Sequence, residues 1–160
     1  MIQHIQSLIG HCTWANRLTI ESLLACKAAQ IEGPRLLAHV LAVEQIWLSR
    51  LQNQERAFIN WPSITMNECR ALAAECAEGW IVFFRGLTEP DLRRGIEFRT
   101  KQGELFEMTV AEILMQVITH GAHHRGQIAR IVAMEGGKAA STDFILYARS
   151  RSTDDPDPTT

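Results

Sequence analysis

Apolar residues recur at steps of three and four along four long stretches of the chain, which is the spacing of one helical face. The first stretch covers residues 2–27 and includes Ile5 and Ile9 on its apolar side. A Gly-Pro pair ending at Pro34 interrupts the pattern and suits a first helical turn. The second stretch then covers residues 35–52. This pattern predicts two successive amphipathic helices in the first third of the chain.

The third stretch follows the segment INWPSIT, residues 59–65, which we interpret as a loop. Apolar and aromatic positions resume afterwards and predict a third helix over about residues 67–87. Ser63 or Thr65 could accept a hydrogen bond from the first turn of this helix, because hydroxyl side chains are favoured at N-caps.

The fourth stretch covers residues 110–134 and is preceded by a different pattern. Ile96 and Phe98 alternate with charged residues, and TKQG follows as a turn, so we expect a short β-hairpin or an extended loop here. Thr109 and Glu112 have the spacing of a capping box, in which each side chain bonds to the other residue's backbone. The fourth helix is therefore predicted to begin directly after Thr109.

Four long helices with short or moderate connections predict an all-α protein, a four-helix bundle with the hairpin or extended loop before its last long helix. We expect residues 1–150 to form a single domain, in which TDFILYARS adds a short final helix. Residues 151–160 are acidic, polar and interrupted by proline, so we expect them to be disordered.

The overall charge narrows the possible functions. A formal net charge of −2 and a pI of about 6.3 disfavour nucleic-acid binding, which depends on a basic surface. The most apolar run, WIVFF, is far shorter than a membrane span, and the first residues have no features of a secretory signal. The four cysteines form no C-x-x-C pair. We therefore expect a cytoplasmic protein that binds neither nucleic acid nor membrane.

Histidines cluster in the fourth helix, in the run THGAHHRGQIARIV. The apolar stripe continues from Val117 onto His120 and His124, so both should point inward. Side chains four residues apart on a helix are neighbours, and two imidazoles so placed can bind one metal ion. His123 lies to one side of this stripe. No glutamate follows the first histidine, so the H-E-x-x-H form of zinc proteases is absent.

A third ligand could come from the second helix, where His39 lies on the apolar stripe. A lone histidine on such a face is more often a core residue, but an inward histidine pair on another helix favours a ligand. Three neutral histidines leave a coordination position open, as in reactive metal sites. His4 and His11 are alternatives for a fourth ligand, although a surface or boundary position is favoured for both.

The run THGAHHRGQIARIV resembles the H-x-x-x-H-R-G-Q element of the DinB/YfiT-like superfamily. CTWANRL, LLAHVLAVEQIWLSRL and TDFILY are also similar to segments of that family, so the resemblance covers nearly the whole chain. It implies that His39, His120 and His124 bind a divalent metal, usually zinc or nickel. It also implies a four-helix bundle, often a homodimer, related to thiol-dependent S-transferases and a mycothiol-dependent isomerase.

Other polar residues near the run are candidates for lining the site. Many family members have another histidine one turn before the pair, where this chain has Gln116. Gln127 follows His124 by one turn and could orient a ligand or form a helix-packing hydrogen bond. His123 lies at the flank. We name Gln116, Gln127 and His123 as site-lining residues, and no catalytic residue is identified.

Arg125 and the neighbouring glycines are expected to have structural roles. Arg125 is predicted to point away from the inward stripe, where it would pair with a carboxylate or cap another helix. Gly121 and Gly126 would allow close approach of a neighbouring helix or a partner subunit. Trp14 and Trp47 are expected to pack in the core.

The three-histidine site favours a divalent-metal-dependent enzyme with a small-molecule substrate. With a low-molecular-weight thiol as cofactor it would be an S-transferase or isomerase, and with water a hydrolase. The alternative is a non-catalytic metal-binding protein of the stress response. DNA binding, suggested only by the family's name, is disfavoured by the charge.

Overall fold

The structure is a computed structural model that describes residues 1–29, 31–54, 59–100 and 102–153. Its long helices are α1 (Ile2–Ala25), α2 (Glu32–Leu51), α3 (Met66–Arg85) and α4 (Val110–Met134). The shorter elements are strands β1 (Gly95–Arg99) and β2 (Leu105–Thr109), helix α5 (Phe144–Thr153), and two 3-10 turns at Lys27–Ala29 and Pro90–Arg93. The predicted fold class is therefore confirmed.

The apolar core has two clusters that fix the helix directions. One joins the N-terminal halves of α1 and α4 to the C-terminal halves of α2 and α3, through Ile9, Val117, Leu48 and Trp80. The other joins the opposite halves, through Leu23, Ile128, Leu41 and Cys69. Helices α1 and α4 therefore run in one direction and α2 and α3 in the other. Each of α1 and α2 packs against both α3 and α4.

Because α2 and α3 are parallel, the chain has to return from one end of the bundle to the other between residues 51 and 66. The described part of this crossover, residues 59–65, contacts α2 partway along its length. It ends at Thr65, which caps α3 in a capping box with Glu68. The predicted N-cap was one of two candidates, and the structure selects Thr65.

The segment before α4 is a β-hairpin. Its strands pair antiparallel from Gly95 opposite Thr109 to Arg99 opposite Leu105. Thr109 then caps α4 in the predicted capping box with Glu112, and α4 has the predicted bounds. The hairpin therefore delivers the chain directly into the helix that carries the histidine run.

Other boundaries differ slightly from the predictions. Helix α1 ends two residues early, and α2 begins at Glu32, so that Pro34 lies in its first turn. Helix α5 extends to Thr153, past the expected domain boundary at 150. The rest of the predicted disordered tail lies outside the described residues. None of the helices in the described ranges is long and apolar enough to cross a membrane.

Candidate metal centre

Three histidines from two helices meet at the seam between α2 and α4. Each of His39, His120 and His124 offers one ligand nitrogen, and these atoms all lie within 4.8 Å of one another. The Nε2 atoms of His39 and His120 are 3.1 Å apart. Two ligands of a tetrahedral zinc lie roughly 3.3 Å apart, since each bond is about 2.0–2.1 Å long. The spacing therefore approaches that of a metal-bound set.

Helix geometry explains this convergence. His120 and His124 are one turn apart on α4, and their ring centroids are separated by 4.5 Å. His39 faces them from α2, with its ring centroid 4.9 Å from each. His39 is buried, whereas the two histidines of α4 are half-buried. The cluster is therefore supported from the core side and reaches the surface on the α4 side.

The crossover before α3 orients His39. Its Nδ1 lies 2.6 Å from the backbone carbonyl oxygen of Asn60. A carbonyl only accepts, so Nδ1 carries the proton and Nε2 keeps its lone pair. The ring of Trp61 stacks on His39 with centroids 3.7 Å apart and planes 1° from parallel. Arg35 lies over Trp61, 4.9 Å from the ring centroid.

Asn60 and Trp61 were missed in the sequence analysis, because residues 59–65 were read only as a loop. The sequence indicated such a partner only indirectly. A histidine that binds metal through one nitrogen almost always donates its other N–H, so His39 was expected to need an acceptor, and this polar segment could supply one.

Gln127 orients His124 in a similar way. Nδ1 of His124 lies 2.7 Å from Oε1 of Gln127, and Nε2 of Gln127 lies 3.2 Å from Nε2 of His123. The amide thus accepts from His124 and donates to His123, which leaves Nε2 of His124 with its lone pair. Gln127 and His123 are exposed at the rim. Gln116 is half-buried one turn before His120, and no contact recorded for the described residues joins its side chain to the histidines.

The electrostatic surroundings keep His120 neutral. Burial, the largest cause, and the neighbouring His124, His39, His123 and Arg125 together lower the pKa of His120 to about 4. A histidine must be neutral to bind a metal. His120 is therefore neutral at neutral pH, as a metal ligand has to be.

The donor set fits a divalent transition metal. Imidazole nitrogens suit zinc, copper, iron and nickel, whereas magnesium and calcium prefer oxygen ligands. The cluster has three nitrogen donors, and two of the rings, His39 and His124, have tautomers fixed by hydrogen bonds. This arrangement could hold a metal ion with three protein ligands.

The remaining histidines lie elsewhere. His11 has Nε2 2.7 Å from the carbonyl oxygen of Thr142 and packs against Trp14 and Tyr147. Burial lowers its pKa. It therefore helps to dock the C-terminal segment on α1, and Trp14 is half-buried there. His4 is exposed. Neither belongs to the three-histidine group.

The prediction for Arg125 was wrong. Its side chain is buried, with only 3% exposed, and Nη1 donates to Oδ1 of Asn16 over 3.0 Å. The reason is that α4 packs against both α1 and α2, so its buried sector is wider than one stripe. A Cβ at Gly121 would meet Arg125 Nη1 at 2.7 Å, so this glycine leaves room for a side chain of its own helix. A Cβ at Gly126 would meet nothing within 4 Å among the described residues.

Glu44 is a second buried charged residue that the sequence analysis did not select. Its Oε1 accepts from Nδ2 of Asn16 over 2.8 Å, and its Oε2 accepts from Nε1 of Trp80 over 3.3 Å. Burial raises the pKa of Glu44, and the bonds from Asn16 and Trp80 and the charge of Arg125 oppose that rise. The sequence feature that could have indicated a buried Glu44 is that it is the one acidic residue in the largely apolar run AHVLAVEQIW.

Comparisons with known proteins agree with this fold. The sequence profile of the DinB family matches residues 1–157. Protein DinB of Bacillus subtilis (strain 168) is 28% identical over 82 residues, which cover 51% of this chain and 46% of that protein. The uncharacterized protein YizA of the same strain is 26% identical over 119 residues, 73% of this chain and 74% of that protein. The matched region thus spans about half of Protein DinB.

A solved structure shows the same fold. The crystal structure of a DinB-like protein from Bacillus cereus ATCC 10987 matches with a TM-score of 0.62 and 18% sequence identity. The match covers 84% of this chain and 94% of that one. At this identity the likeness concerns the arrangement of the helices.

Proposed function

The chain belongs to the DinB family, and we propose that it is a divalent-metal-dependent enzyme in which His39, His120 and His124 hold the metal. The observation that supports this most is the convergence of three ligand nitrogens within 4.8 Å. Zinc or nickel is the metal we expect. The substrate is a small molecule, because the site is formed within one seam of the bundle.

The protein's own residues prepare this site for binding. Asn60 and Gln127 hold the Nδ1 protons of His39 and His124, so that both Nε2 atoms present lone pairs. A divalent metal with three neutral histidine ligands supplies Lewis acidity, which lowers the pKa of a coordinated water or thiol. Trp61 and Gln127 flank the histidines and would contact what binds there.

A thiol-dependent transfer or isomerisation is the reaction we favour. No aspartate or glutamate of the described residues joins the histidine group. Within the described ranges no carboxylate base therefore belongs to this group, which favours a nucleophile that the metal itself can activate. A low-molecular-weight thiol meets that need more readily than water, because its pKa is already lower. Hydrolysis is the competing reaction at the same site.

Elemental analysis of the natively purified protein is the first test. We expect close to one zinc or nickel per chain, and loss of that metal in His120→Ala. The matched control is His4→Ala, which removes an exposed histidine and should keep the metal. Equal metal content in wild type and His120→Ala would refute the site.

A screen of thiols against electrophiles then tests the reaction. The metal-loaded protein should consume thiol and electrophile together, and His120→Ala should not. Turnover that needs the metal but no thiol would favour the hydrolase.

A non-catalytic metal-binding role in the stress response is the second candidate. It is favoured by the distribution of the histidines, since one metal would tie α2 to α4. A structural metal contributes strongly to folding. A melting temperature that falls by tens of degrees with a chelator, without any thiol or water reaching the metal, would favour this role over catalysis.

The assembly and location are also proposals. We expect a homodimer, from the resemblance to family members, and a cytoplasmic location, from the charge and the short apolar runs of the sequence. Light scattering of the purified protein tests the dimer directly, and a monomer at micromolar concentration would contradict it.

A further inference from the structure

A chain of hydrogen bonds crosses the core and uses one residue from each long helix. Arg125 of α4 donates to Asn16 of α1, and Asn16 donates to Glu44 of α2. Trp80 of α3 donates to the other oxygen of Glu44. Each of the four side chains is at most 3% exposed. We call these four residues the polar layer.

The polar layer closes in one arrangement only. Arg125 and the indole of Trp80 can only donate, and the two carboxyl oxygens of Glu44 accept from Asn16 and Trp80. Asn16 has to turn its oxygen toward Arg125 and its nitrogen toward Glu44. Any other orientation of the amide would place two donors or two acceptors together. Each helix therefore has a single height and rotation at which all the bonds form.

The polar layer is adjacent to the histidines in sequence and in space. Glu44 follows His39 by five positions on α2, and Arg125 directly follows His124 on α4. Its bridging residue, Asn16, lies on α1 between the two apolar clusters. The guanidinium of Arg125 lies against Gly121, which is next to His120. The helices that carry the ligands are thus the helices that the layer ties together.

We propose that the polar layer is the positioning element of the metal centre: it sets the relative height and rotation of α2 and α4, so that His39 meets His120 and His124. This inference rests on the proposed metal site. Apolar contacts are non-directional and tolerate small sliding and rotation of helices. A binding constellation has to be held within about 0.5 Å, which requires directional contacts behind it.

A layer without charges separates positioning from stability. The triple variant Asn16→Leu/Glu44→Met/Arg125→Met removes the Glu44 carboxyl, the Arg125 guanidinium and the bridging amide at similar volume, and leaves the N–H of Trp80 without its acceptor. Replacing buried ionic networks with apolar residues is often neutral or stabilising. Because one buried donor is left unpaired, we expect the variant to fold with a melting temperature a few degrees below that of the wild type. Its affinity for cobalt(II), used as a spectroscopic probe, should fall about 10–100-fold, the usual effect of losing an outer-shell support.

Two further readouts report geometry. The absorption bands of bound cobalt(II) should change in shape in the triple variant, because the ligand arrangement changes. In the metal-free protein, NMR contacts between the rings of His39 and His120, whose Nε2 atoms are 3.1 Å apart, should weaken. The control is Ile128→Val, a fully buried position on α4 that takes no part in the layer. It should keep the wild-type affinity, spectrum and ring contacts.

The cobalt and NMR measurements decide between a positioning role and none. A triple variant with wild-type cobalt affinity and spectrum would overturn the proposal, as would a loss no greater than in Ile128→Val. If the triple variant does not fold, Asn16→Ser removes the amide that joins Arg125 to Glu44. An altered cobalt spectrum is then expected, and an unaltered one would overturn the proposal. If the wild type binds no metal, the proposed function fails, while the ring contacts in the metal-free protein still decide the positioning role.

Discussion

The histidine cluster and the polar layer both use residues of α2 and α4, yet their polar atoms are arranged in different ways. In the polar layer, the donors of Arg125 and Trp80 and the oxygens of Glu44 are joined within the core. In the histidine cluster, Asn60 and Gln127 hold the Nδ1 atoms of His39 and His124, and the ligand nitrogens converge, with the Nε2 atoms of His39 and His120 in hydrogen-bond contact at 3.1 Å. The first arrangement specifies how helices pack, and the second prepares a place for a ligand.

Burial separates the two regions further. The polar layer is sealed in the core, whereas His120 and His124 are half-buried at the seam. A substitution that removes one charged residue of the layer and leaves the other buried should therefore mainly lower the free energy of unfolding. Substitutions of the histidines should appear mainly in metal affinity.

The largest effect is expected when one charge of the layer is removed. Arg125→Met leaves the Glu44 carboxylate buried without its counter-charge, which typically costs about 3–5 kcal/mol of stability. Urea unfolding of the metal-free protein measures the loss. Adding Glu44→Gln should recover part of it. A loss below about 0.5 kcal/mol, the usual range of surface substitutions, would contradict the proposed network of bonds in the layer.

The opposite pattern is expected for His120→Ala. Removing one of three ligands should weaken metal binding by roughly 100-fold or more, because two histidines are too few for a stable site. The stability of the metal-free protein should change by less than in Arg125→Met. Titration calorimetry against a competing chelator measures the affinity. Equal stability losses in both variants would erase the contrast between the regions.

A smaller loss of affinity is expected from the side chain that orients His124. Gln127→Leu removes the acceptor for Nδ1 and should weaken metal binding by about 10–100-fold. His123→Ala, one hydrogen bond further from the site, should have a smaller effect. The same calorimetric titration ranks the two. A greater loss in His123→Ala would mean that His123 itself approaches the metal.

The effect that is smallest at neutral pH concerns the pH dependence of the free energy of unfolding. Because the folded-state pKa of His120 is lowered to about 4, the unfolded chain binds more protons between pH 6.5 and 4. The contribution of His120 is therefore fully present above pH 6.5 and is lost as the pH falls toward 4. Unfolding of the metal-free protein across this range should show a shallower slope in His120→Gln. His11, whose pKa burial also lowers, stays in both proteins and cancels in the difference. Parallel slopes would contradict the shift.

Periodicity located the four helices because apolar residues recur at helical spacing along each of them, and the capping box at Thr109 marked the start of α4. The same stripe placed His120 and His124 on one face, and the structure brings His39 to them. What periodicity could not supply was the partner of each polar residue. Asn60 and Trp61 lie in a segment without a repeating pattern.

Arg125 shows a second limit. If α4 buried only a single apolar stripe, Arg125 would be exposed. Because α4 packs against both α1 and α2, it buries a wider part of its surface. Its partner Asn16 is 109 positions away in sequence. Contacts at such a distance depend on how four helices are arranged, which no single helix pattern contains. Buried polar pairs are therefore the part of the site that only the three-dimensional fold reveals.

The stacking of Trp61 on His39 has an optical consequence. An indole in parallel contact with a ligand ring emits light that responds to what that ring binds. Copper or nickel at the histidines would quench this emission by electron or energy transfer, while Trp80, which is buried in the core and bonded to Glu44, would respond less. The protein thus contains a native fluorophore at the proposed metal site, and occupancy could be followed in solution without any label.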